Sequence, residues 1–411
     1  MKRNCIIGQS GGPTIAINAS LAGIIHRAKA SQEFENVYGM INGIKGLLEG
    51  RYMDLLEEFD DGDKINALKQ TPAMYLGSCR YKLPTFQDDE DTYVKLFRIL
   101  KELEITDFFY IGGNDSMDTV MKLDDYAKYI NSDIHFIGIP KTIDNDLMGT
   151  DHTPGFGSAA KYVAASILEV AHDSLIYQLQ SVTIIEIMGR NAGWLTAAAA
   201  LARNEYNVAP DLIYLPEVVF DKDKFLADIH EVMKRKRCVV IAVSEGIRDQ
   251  NGHFLDDDSK YAKKDAFGHV LHSGTGKLLE SLVFKEFGCK VRSIELNVLQ
   301  RCAMHIASKT DLNESFVIGS KAIDKALENV SGHVMGFKRL SNHPYEIDYI
   351  STDVREVANY EQKIPVEWIN EEGNDITQEL YEYLYPLIQG EVHVTYKDGI
   401  PSYYSCKHLE K

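Results

Sequence analysis

One loop of this chain carries an unusual density of groups that can do chemistry. Residues 140–151 read Pro-Lys-Thr-Ile-Asp-Asn-Asp-Leu-Met-Gly-Thr-Asp and include three carboxylates, Asp144, Asp146 and Asp151. A lysine, a hydroxyl and an amide stand among them. Carboxylates this close in sequence repel one another unless a metal ion, a cationic ligand or a proton-transfer role uses them. The loop is therefore a candidate catalytic or metal-binding segment.

The sequence around this loop places it at the end of a strand. The apolar run at residues 135–139 is typical of a buried parallel strand, and residues 158–170 have the pattern of a helix. Open α/β sheets build their sites from polar loops at the carboxyl ends of such strands.

Two further predicted strands end in glycine-rich turns. The first strand is followed by Gly11 and Gly12, whose small size lets backbone N–H groups approach a phosphate at a helix N-terminus. A later strand is followed by Gly-Gly-Asn-Asp-Ser, which contains Asn114 and Asp115. A ligand-free tight turn and a simple helix N-cap are the alternative interpretations.

Charged residues follow turns and strands elsewhere in the chain. Arg80 comes after a Gly-Ser-Cys turn and can present a bidentate guanidinium to a phosphoryl group, although a solvated loop arginine is the alternative. Arg190 and Glu245 each follow a predicted strand, and Arg292 and Arg301 come later. Because so many strand ends carry phosphate-type or carboxylate chemistry, one shared site is the simplest hypothesis.

The elements that would position these residues alternate between strand and helix, which predicts two α/β lobes with mostly parallel sheets. The predicted strands are residues 5–7, 37–41, 108–111, 135–139, 182–188, 212–215, 239–243 and 291–296. The predicted helices are residues 15–30, 91–103, 118–129, 158–171, 193–202, 222–236, 276–287 and 301–309.

Composition narrows the class of protein. The 411 residues are 45% hydrophobic and 26% charged, which is ordinary for a soluble globular protein. The net charge of −17 argues against binding to nucleic acid or anionic membranes. No apolar run could span a bilayer and the N-terminus lacks a signal-peptide pattern, so a cytoplasmic location is expected. Six scattered cysteines predict neither a zinc site nor a disulfide framework.

Familiar motifs of other enzyme classes are missing or incomplete. Residues 272–277 faintly resemble a Walker loop, but its first glycine would fall at Leu271, and Leu278 stands where Ser or Thr is needed. No Gly-x-Gly-x-x-Gly follows a strand, so a dehydrogenase interpretation lacks support.

Taken in order, the motifs resemble those of phosphofructokinases. The matching stretches are Gly11-Gly12, Gly77-Ser78-Cys79-Arg80, Gly112-Gly113-Asn114-Asp115-Ser116, Pro140-Lys141-Thr142-Ile143-Asp144-Asn145-Asp146, Met188-Gly189-Arg190 and Glu245. The resemblance runs from Cys5 to about Asp311, and the Thr-Ile-Asp-Asn-Asp stretch is its most specific part. It implies a fold of two Rossmann-like lobes and phosphorylation of the 1-hydroxyl of fructose 6-phosphate.

The resemblance also implies roles for single residues in phosphoryl transfer. Asp144 matches the general base that takes the proton from the sugar hydroxyl. Thr142 resembles a contact to the transferred phosphoryl group or the sugar, and Gly12, next to Gly11, resembles a backbone donor to the phosphoryl donor. Arg80 and Arg190 resemble the residues that offset charge on the phosphoryl group. Mg²⁺ is the implied cofactor.

Other residues are assigned to the substrates and the metal by the same resemblance. The implied sugar-phosphate contacts are Thr142, Ile143, Asp144, Met188, Gly189, Arg190, Glu245 and Arg301. Arg292 matches an arginine that reaches the 6-phosphate across a subunit interface, which implies a homodimer or homotetramer with shared active sites. Asn114 and Asp146 stand at metal-associated positions. Residues 1–157 would form the phosphoryl-donor lobe, 158–300 the sugar-phosphate lobe, and 301–411 a segment that completes both.

Asp115 and Lys141 address which phosphoryl donor is used. ATP-using members of the family usually have glycine at both positions, and this pair resembles the pyrophosphate-dependent branch. A carboxylate in the space of a nucleotide phosphate would repel it by roughly 4 kcal/mol at about 4 Å and an effective dielectric of about 20. Lys141 supplies a compact cation for pyrophosphate. The alternative is that the two residues only pair with each other.

Three positions depart from the commonest family pattern. Asn114 replaces a metal-binding aspartate, Ser181 stands near the place of a second cross-subunit arginine, and Val298 replaces a polar sugar contact. Two other functions stay open from the sequence, an ATP-dependent phosphofructokinase and a non-catalytic subunit that binds the sugar phosphate.

Overall fold

The computed structural model describes residues 2–79, 81–176, 178–255, 263–264, 270–271 and 274–410. The chain forms two compact units. The first unit contains residues 1–158, 301–361 and 390–411, and the second contains residues 159–300 and 362–389. Each unit is therefore built from separate stretches of the chain.

The strands and helices alternate along most of the chain. The strands are β1 (Arg3–Gln9), β2 (Phe34–Met40), β3 (Tyr52–Asp54), β4 (Ile105–Gly112), β5 (His135–Pro140), β6 (Ser181–Ile187), β7 (Leu212–Tyr214), β8 (Cys238–Ser244), β9 (Lys263–Lys264), β10 (Val270–Leu271), β11 (Lys290–Glu295), β12 (His333–Asn342), β13 (Tyr345–Asp353), β14 (Tyr396–Lys397) and β15 (Ile400–Pro401). The α-helices are α1 (Ile17–Ser31), α2 (Gly43–Leu48), α3 (Leu55–Glu58), α4 (Gly62–Lys69), α5 (Glu90–Glu102), α6 (Asn114–Tyr129), α7 (Phe156–Leu175), α8 (Trp194–Ala197), α9 (Lys222–Met233), α10 (Thr275–Phe287), α11 (Lys309–Leu327) and α12 (Gln378–Leu384).

The first unit is organised around a seven-stranded sheet of order β13-β12-β5-β4-β1-β2-β3. Its central strands are parallel, and the edge pairs β2–β3 and β12–β13 are antiparallel. Both faces are buried. Cys5 and Ile7 belong to the apolar cluster on one face, and Ile6 belongs to the cluster on the other. This alternation follows from the two-residue period of a strand.

Helices α1 and α11 cover one face of this sheet and pack very closely. A Cβ added at Gly23 would lie 1.9 Å from the carbonyl oxygen of Phe316, and one added at Gly319 would lie 2.1 Å from that of Ser20. The two glycines therefore allow the helix backbones to approach.

The second unit contains a four-stranded parallel sheet of order β11-β6-β8-β7. Strands β6 and β8 are fully buried. Helices α9 and α10 pack on it through apolar residues such as Phe225, Ile229 and Val283. None of the helices in the described part of the chain combines the length and apolar composition that a bilayer crossing needs.

The α/β fold with mostly parallel sheets is confirmed, and each predicted strand coincides with an observed one. The predicted helix at residues 301–309 is wrong. Short 3-10 turns occupy Asn297–Arg301 and Met304–Ile306, and Ser308 then caps α11 by accepting a hydrogen bond from the Asp311 backbone N–H. Helix α11 and the β12–β13 hairpin were missed.

Candidate active site

Three strand ends of the first unit meet at one edge of its sheet. The Ser10 N–H donates to the carbonyl oxygen of Ile111 at 3.0 Å, and the Lys141 N–H donates to that of Gly112 at 2.9 Å. These bonds extend the parallel pairing of β1 with β4 and of β4 with β5. The Gly11–Gly12 turn, the start of α6 and the loop after β5 are therefore neighbours, as the carboxyl ends of adjacent parallel strands must be.

The loop after β5 alternates between buried and half-exposed residues. Thr142, Asp144 and Asp146 are half-exposed, whereas the residues between them are buried. The Thr142 hydroxyl accepts a hydrogen bond from the Asp144 backbone N–H at 3.1 Å and lies 3.4 Å from its carboxylate. The two polar side chains predicted to meet the reacting groups are thus close together. Ile143 is buried, so a substrate contact at that position would come from its backbone.

Asn145 fixes the shape of this loop. Its φ of 56° lies in the left-handed region, which Asn tolerates better than most residues. Its side-chain oxygen accepts a hydrogen bond from the Thr153 backbone N–H at 2.9 Å, and the Thr153 hydroxyl donates to the Thr142 carbonyl at 2.7 Å. The loop is therefore cross-braced by its own residues.

The third carboxylate of the loop belongs to a buried charge network. Asp151 Oδ1 lies 2.8 Å from His152 Nδ1 and 2.9 Å from Arg339 Nη2, and His152 Nε2 lies 2.8 Å from Glu314 Oε2. Burial alone would lower the pKa of His152, but Glu314 and Asp151 outweigh it and raise the pKa to about 9. The charged imidazole bridges two carboxylates and ties the loop to α11.

Lys141 is buried beside the Gly11–Gly12 turn, with 3% of its surface exposed. Its Nζ donates to the Gly12 carbonyl oxygen at 2.6 Å. Burial lowers the pKa of this ammonium to about 8, the nearby Arg301 lowers it further, and Asp144 and Asp146 act in the opposite direction. At neutral pH the group is still mostly protonated, so the edge carries a buried cation beside a glycine turn.

Asp115 is exposed in the first turn of α6, where a carboxylate is favoured by the helix dipole. In the described part of the chain Asp115 and Lys141 form no ion pair, because the ammonium is directed to the Gly12 carbonyl instead. The alternative in which the two residues merely neutralise each other therefore has no support. The predicted repulsion between this carboxylate and a nucleotide phosphate stays a prediction.

Asn114 uses both atoms of its amide on a neighbouring segment of the first unit. Its oxygen accepts from the Asn359 backbone N–H at 2.6 Å, and its nitrogen donates to the Tyr360 carbonyl oxygen at 2.8 Å. An aspartate could not make the second bond because it has no donor. The predicted metal contact of Asn114 is untested and would have to use the remaining lone pair of an oxygen that is already engaged.

Asp146 lies in a crowded electrostatic environment. Burial, together with the carboxylates of Asp144 and Glu361, raises its pKa to about 7. Among the described residues no group of three or more His, Cys, Asp or Glu side chains is arranged to hold a metal ion. A divalent cation would relieve the carboxylate repulsion, and one bound here would share its coordination with substrate phosphates, as Mg²⁺ commonly does.

A turn at residues 74–79 borders the same edge, and two buried polar residues hold it. Gln9 Oε1 accepts from the Leu76 N–H, and Asn18 Oδ1 accepts from the Tyr75 N–H, both at 2.9 Å. The Ser78 hydroxyl then donates to the Gly11 carbonyl at 2.7 Å. Sequence reasoning missed Gln9 and Asn18, although a polar residue inside an apolar strand or helix face was a usable signal. The predicted catalytic Arg80 follows this turn and lies outside the described residues.

The second unit brings together another group of predicted site residues. Gly189, with a φ of 137°, follows β6 and donates its N–H to Glu245 Oε1 at 3.3 Å. Ser244 at the end of β8 donates its hydroxyl to the Gly189 carbonyl at 2.6 Å. Met188 and Arg190 flank that glycine, so the predicted sugar-phosphate residues at 188–190 and Glu245 form one cluster.

Two residues that the sequence did not single out brace this cluster. Arg248 Nη2 donates to Asn191 Oδ1 at 2.7 Å, and Glu217 Oε1 accepts from the Gly193 N–H at 2.9 Å. The loop between β6 and α8 is therefore held from both sides by charged side chains of its own unit.

Two other predicted substrate arginines, Arg292 and Arg301, belong to different units. Arg292 is exposed on β11 and forms an ion pair with Asp173 at 3.3 Å. Arg301 belongs to the first unit, where a Cβ added at Gly12 would lie 3.2 Å from its Nη1. The cross-subunit role of Arg292 and the sugar contact of Arg301 stay predictions, and Arg301 adds positive charge near the donor-side residues.

This chain is similar in sequence and in structure to known proteins. The family described as phosphofructokinase matches residues 4–324. A pyrophosphate–fructose 6-phosphate 1-phosphotransferase of Xanthomonas campestris is 40% identical over 409 residues, covering 99% of this chain and 96% of the relative. One from Halomonas elongata is 38% identical, covering 97% and 95%. The crystal structure of a pyrophosphate-dependent phosphofructokinase from Nitrosospira multiformis matches with a TM-score of 0.88 at 37% identity, covering 98% and 96%.

Proposed function

Because this chain belongs to the phosphofructokinase family, we propose that it transfers a phosphoryl group from pyrophosphate to the 1-hydroxyl of fructose 6-phosphate. The products are fructose 1,6-bisphosphate and phosphate, and the reaction runs in both directions. The observation that carries the donor assignment is the pair Asp115 and Lys141, a free carboxylate and a buried cation at the edge that also holds the Gly11–Gly12 turn.

In the proposed reaction Asp144 is the general base. It takes the proton of the 1-hydroxyl as that oxygen bonds to one phosphorus of pyrophosphate, and the bridging oxygen leaves with the other phosphate. Its half-exposed position beside the Thr142 hydroxyl supports this role. Thr142 is proposed to orient the transferred group from the same side of the loop.

Positive charge is the second requirement of phosphoryl transfer, since charge spreads over the phosphoryl oxygens. Lys141 and Arg301 supply it near the Gly12 turn. Arg80 and Arg190 are proposed to offset charge on the phosphoryl group as it moves. Gly11 and Gly12 leave room for backbone contacts to the donor.

Phosphofructokinases generally need a divalent metal, and we propose Mg²⁺ for this chain. Asp146 would hold it, with Asn114 as the second predicted contact. The ion would neutralise phosphate charge and align the donor.

The sugar phosphate is proposed to bind at Met188, Gly189, Arg190 and Glu245. A cytoplasmic location and a homodimer or homotetramer with shared sites stay predictions.

An ATP-dependent kinase is the rival within the family. The exposed Asp115 argues against it, because a carboxylate there would repel a nucleotide phosphate. A non-catalytic sugar-phosphate subunit is the rival of another class. The intact set of Asp144, Thr142 and Arg190 argues against that function.

The double variant Asp115→Gly, Lys141→Gly tests the donor assignment. We expect it to lose at least about 100-fold in turnover with pyrophosphate, since it lacks the cation that meets the donor charge, and to gain weak use of ATP. Phosphate release with each donor is the measurement, and Asp133→Gly, an exposed loop change, is the control. Full pyrophosphate activity in the double variant would refute the assignment.

A further inference from the structure

The C-terminal segment at residues 402–410 packs against residues 71–79, which include the turn at residues 74–79. The Tyr404 backbone N–H donates to the Thr71 hydroxyl at 2.8 Å. The His408 Nε2 lies 2.7 Å from the Tyr75 carbonyl oxygen, which can only accept, so the imidazole donates this bond. Two hydrogen bonds thus join this segment to the Thr71 side chain and the Tyr75 backbone.

Aromatic packing reinforces this attachment. The His408 ring lies 4.4 Å from the Tyr75 ring, and the Tyr404 ring lies 5.2 Å from Phe59. The Tyr404 hydroxyl also donates to Glu58 Oε1 at 2.8 Å. The segment is therefore docked specifically, unlike a chain terminus that frays.

The same turn contacts the Gly11–Gly12 turn at the edge of the seven-stranded sheet. Leu409 packs against Gly77, where an added Cβ would lie 3.0 Å from Leu409 Cδ2. The next residue, Ser78, donates its hydroxyl to the Gly11 carbonyl. The turn is held on its other side by the buried Gln9 and Asn18 side chains. The C-terminal segment and the β1–α1 region therefore both contact the turn at residues 74–79.

We infer that residues 402–410 are a positioning strap for the 74–79 turn, with His408 as its principal positioning residue. The inference rests on the proposed function, because it takes this turn to serve phosphoryl transfer through the hydrogen bond from Ser78 to the Gly11 carbonyl. In this proposal His408 acts indirectly, through the turn. It fixes the Tyr75 carbonyl, and a displaced turn would move Ser78 away from the Gly11 carbonyl.

The variants His408→Ala and His408→Gln test this inference. We expect His408→Ala to lower kcat with pyrophosphate about tenfold while the KM for fructose 6-phosphate changes less than about twofold. A displaced Ser78 would disturb the Gly11–Gly12 turn that is proposed to contact the donor, and small misplacements beside reacting groups are costly. Gln can place an N–H donor near the position of Nε2, so His408→Gln should recover most of kcat. Lys407→Ala, an exposed neighbour, is the control and should behave as wild type.

Hydrogen exchange gives a readout that does not depend on turnover. Peptides covering residues 71–79 should exchange faster in His408→Ala than in the wild type, while peptides from β6 and β8 stay unchanged. Should His408→Ala fail to fold, Leu409→Ala removes the packing on Gly77 and should show the same pattern.

Wild-type kcat in His408→Ala, or a kcat in His408→Gln as low as in His408→Ala, would overturn the inference. So would unchanged exchange at residues 71–79. A wild-type enzyme that cannot use pyrophosphate would instead overturn the proposed function, and the exchange experiment would still decide whether the strap holds the turn.

Discussion

At the scale of single residues, Asp144 is the group on which the proposed chemistry depends. We predict that Asp144→Ser lowers turnover by at least about 100-fold, the usual size of a general-base contribution. Binding of fructose 6-phosphate should survive, because the predicted sugar contacts at residues 188–190 and Glu245 are intact. Steady-state kinetics and isothermal titration with the sugar phosphate measure the two effects.

Asp133→Ser is the matched control, since it removes an exposed carboxylate just before β5. It should leave both quantities unchanged. Normal turnover in Asp144→Ser would disprove the base assignment.

Asn114 shows how a residue can differ from its family pattern for a structural reason. Asn114→Asp would restore the commoner metal-binding residue but lose the hydrogen bond to the Tyr360 carbonyl. We predict that it lowers the free energy of unfolding by about 1 kcal/mol. It should not tighten binding of Mg²⁺-pyrophosphate, because the bond to Tyr360 that orients the side chain for a metal contact is lost. Thermal unfolding and titration calorimetry are the measurements.

The control for this change is Asn66→Asp, which makes the same substitution at an exposed site of α4. It should leave stability unchanged. Tighter Mg²⁺-pyrophosphate binding in Asn114→Asp, with stability retained, would show that position 114 acts mainly as a metal ligand.

At the scale of elements, the packing of α1 on α11 depends on glycine. Gly23→Ala would place a methyl group 1.9 Å from the Phe316 carbonyl oxygen and push the helices apart. We predict a loss of about 1–3 kcal/mol in the free energy of unfolding, as expected for overpacking. Thermal and denaturant unfolding measure it.

Gly62→Ala is the control for the helix packing. It lies in the first turn of α4, where no heavy atom is within 4 Å of the added Cβ. It should be neutral or slightly stabilising, because Ala has the higher helix propensity. Equal stability of the two variants would contradict the close approach of the helices.

Much of the sheet could be predicted because buried parallel strands have continuous apolar sequences. The runs at residues 108–111 and 239–243 are examples, and both are central strands. The β12–β13 hairpin was missed because its outer strand is only half-buried and rich in Tyr and Asp. The helix expected at residues 301–309 starts only after Ser308, and the Ser-x-x-Asp pattern that ends at Asp311 was the available start signal.

The sequence could predict which residues share the site, but not how their side chains are oriented. Polar residues after β1, β4 and β5 had to share an edge, and the structure brings them together. The direction of each side chain could not be predicted, since it depends on neighbours far away in sequence. Lys141 turns to the Gly12 carbonyl rather than to Asp115, and Asn114 turns to residues 359–360.

At the scale of the whole molecule, a chain with a net charge of −17 is proposed to bind two anionic substrates. The global field opposes this, so local cations must outweigh it. Lys141 and Arg301 lie together beside the Gly12 turn of the first unit. The charge arrangement favours a compact polyanion such as pyrophosphate, and the exposed Asp115 disfavours the longer phosphate chain of a nucleotide.

A comparison of the two phosphoryl donors on the wild-type enzyme tests the donor assignment. With fructose 6-phosphate and Mg²⁺ present, fructose 1,6-bisphosphate formation is measured with pyrophosphate and, separately, with ATP. We expect rapid product formation and phosphate release with pyrophosphate, and little or none with ATP. Robust activity with ATP and none with pyrophosphate would contradict it.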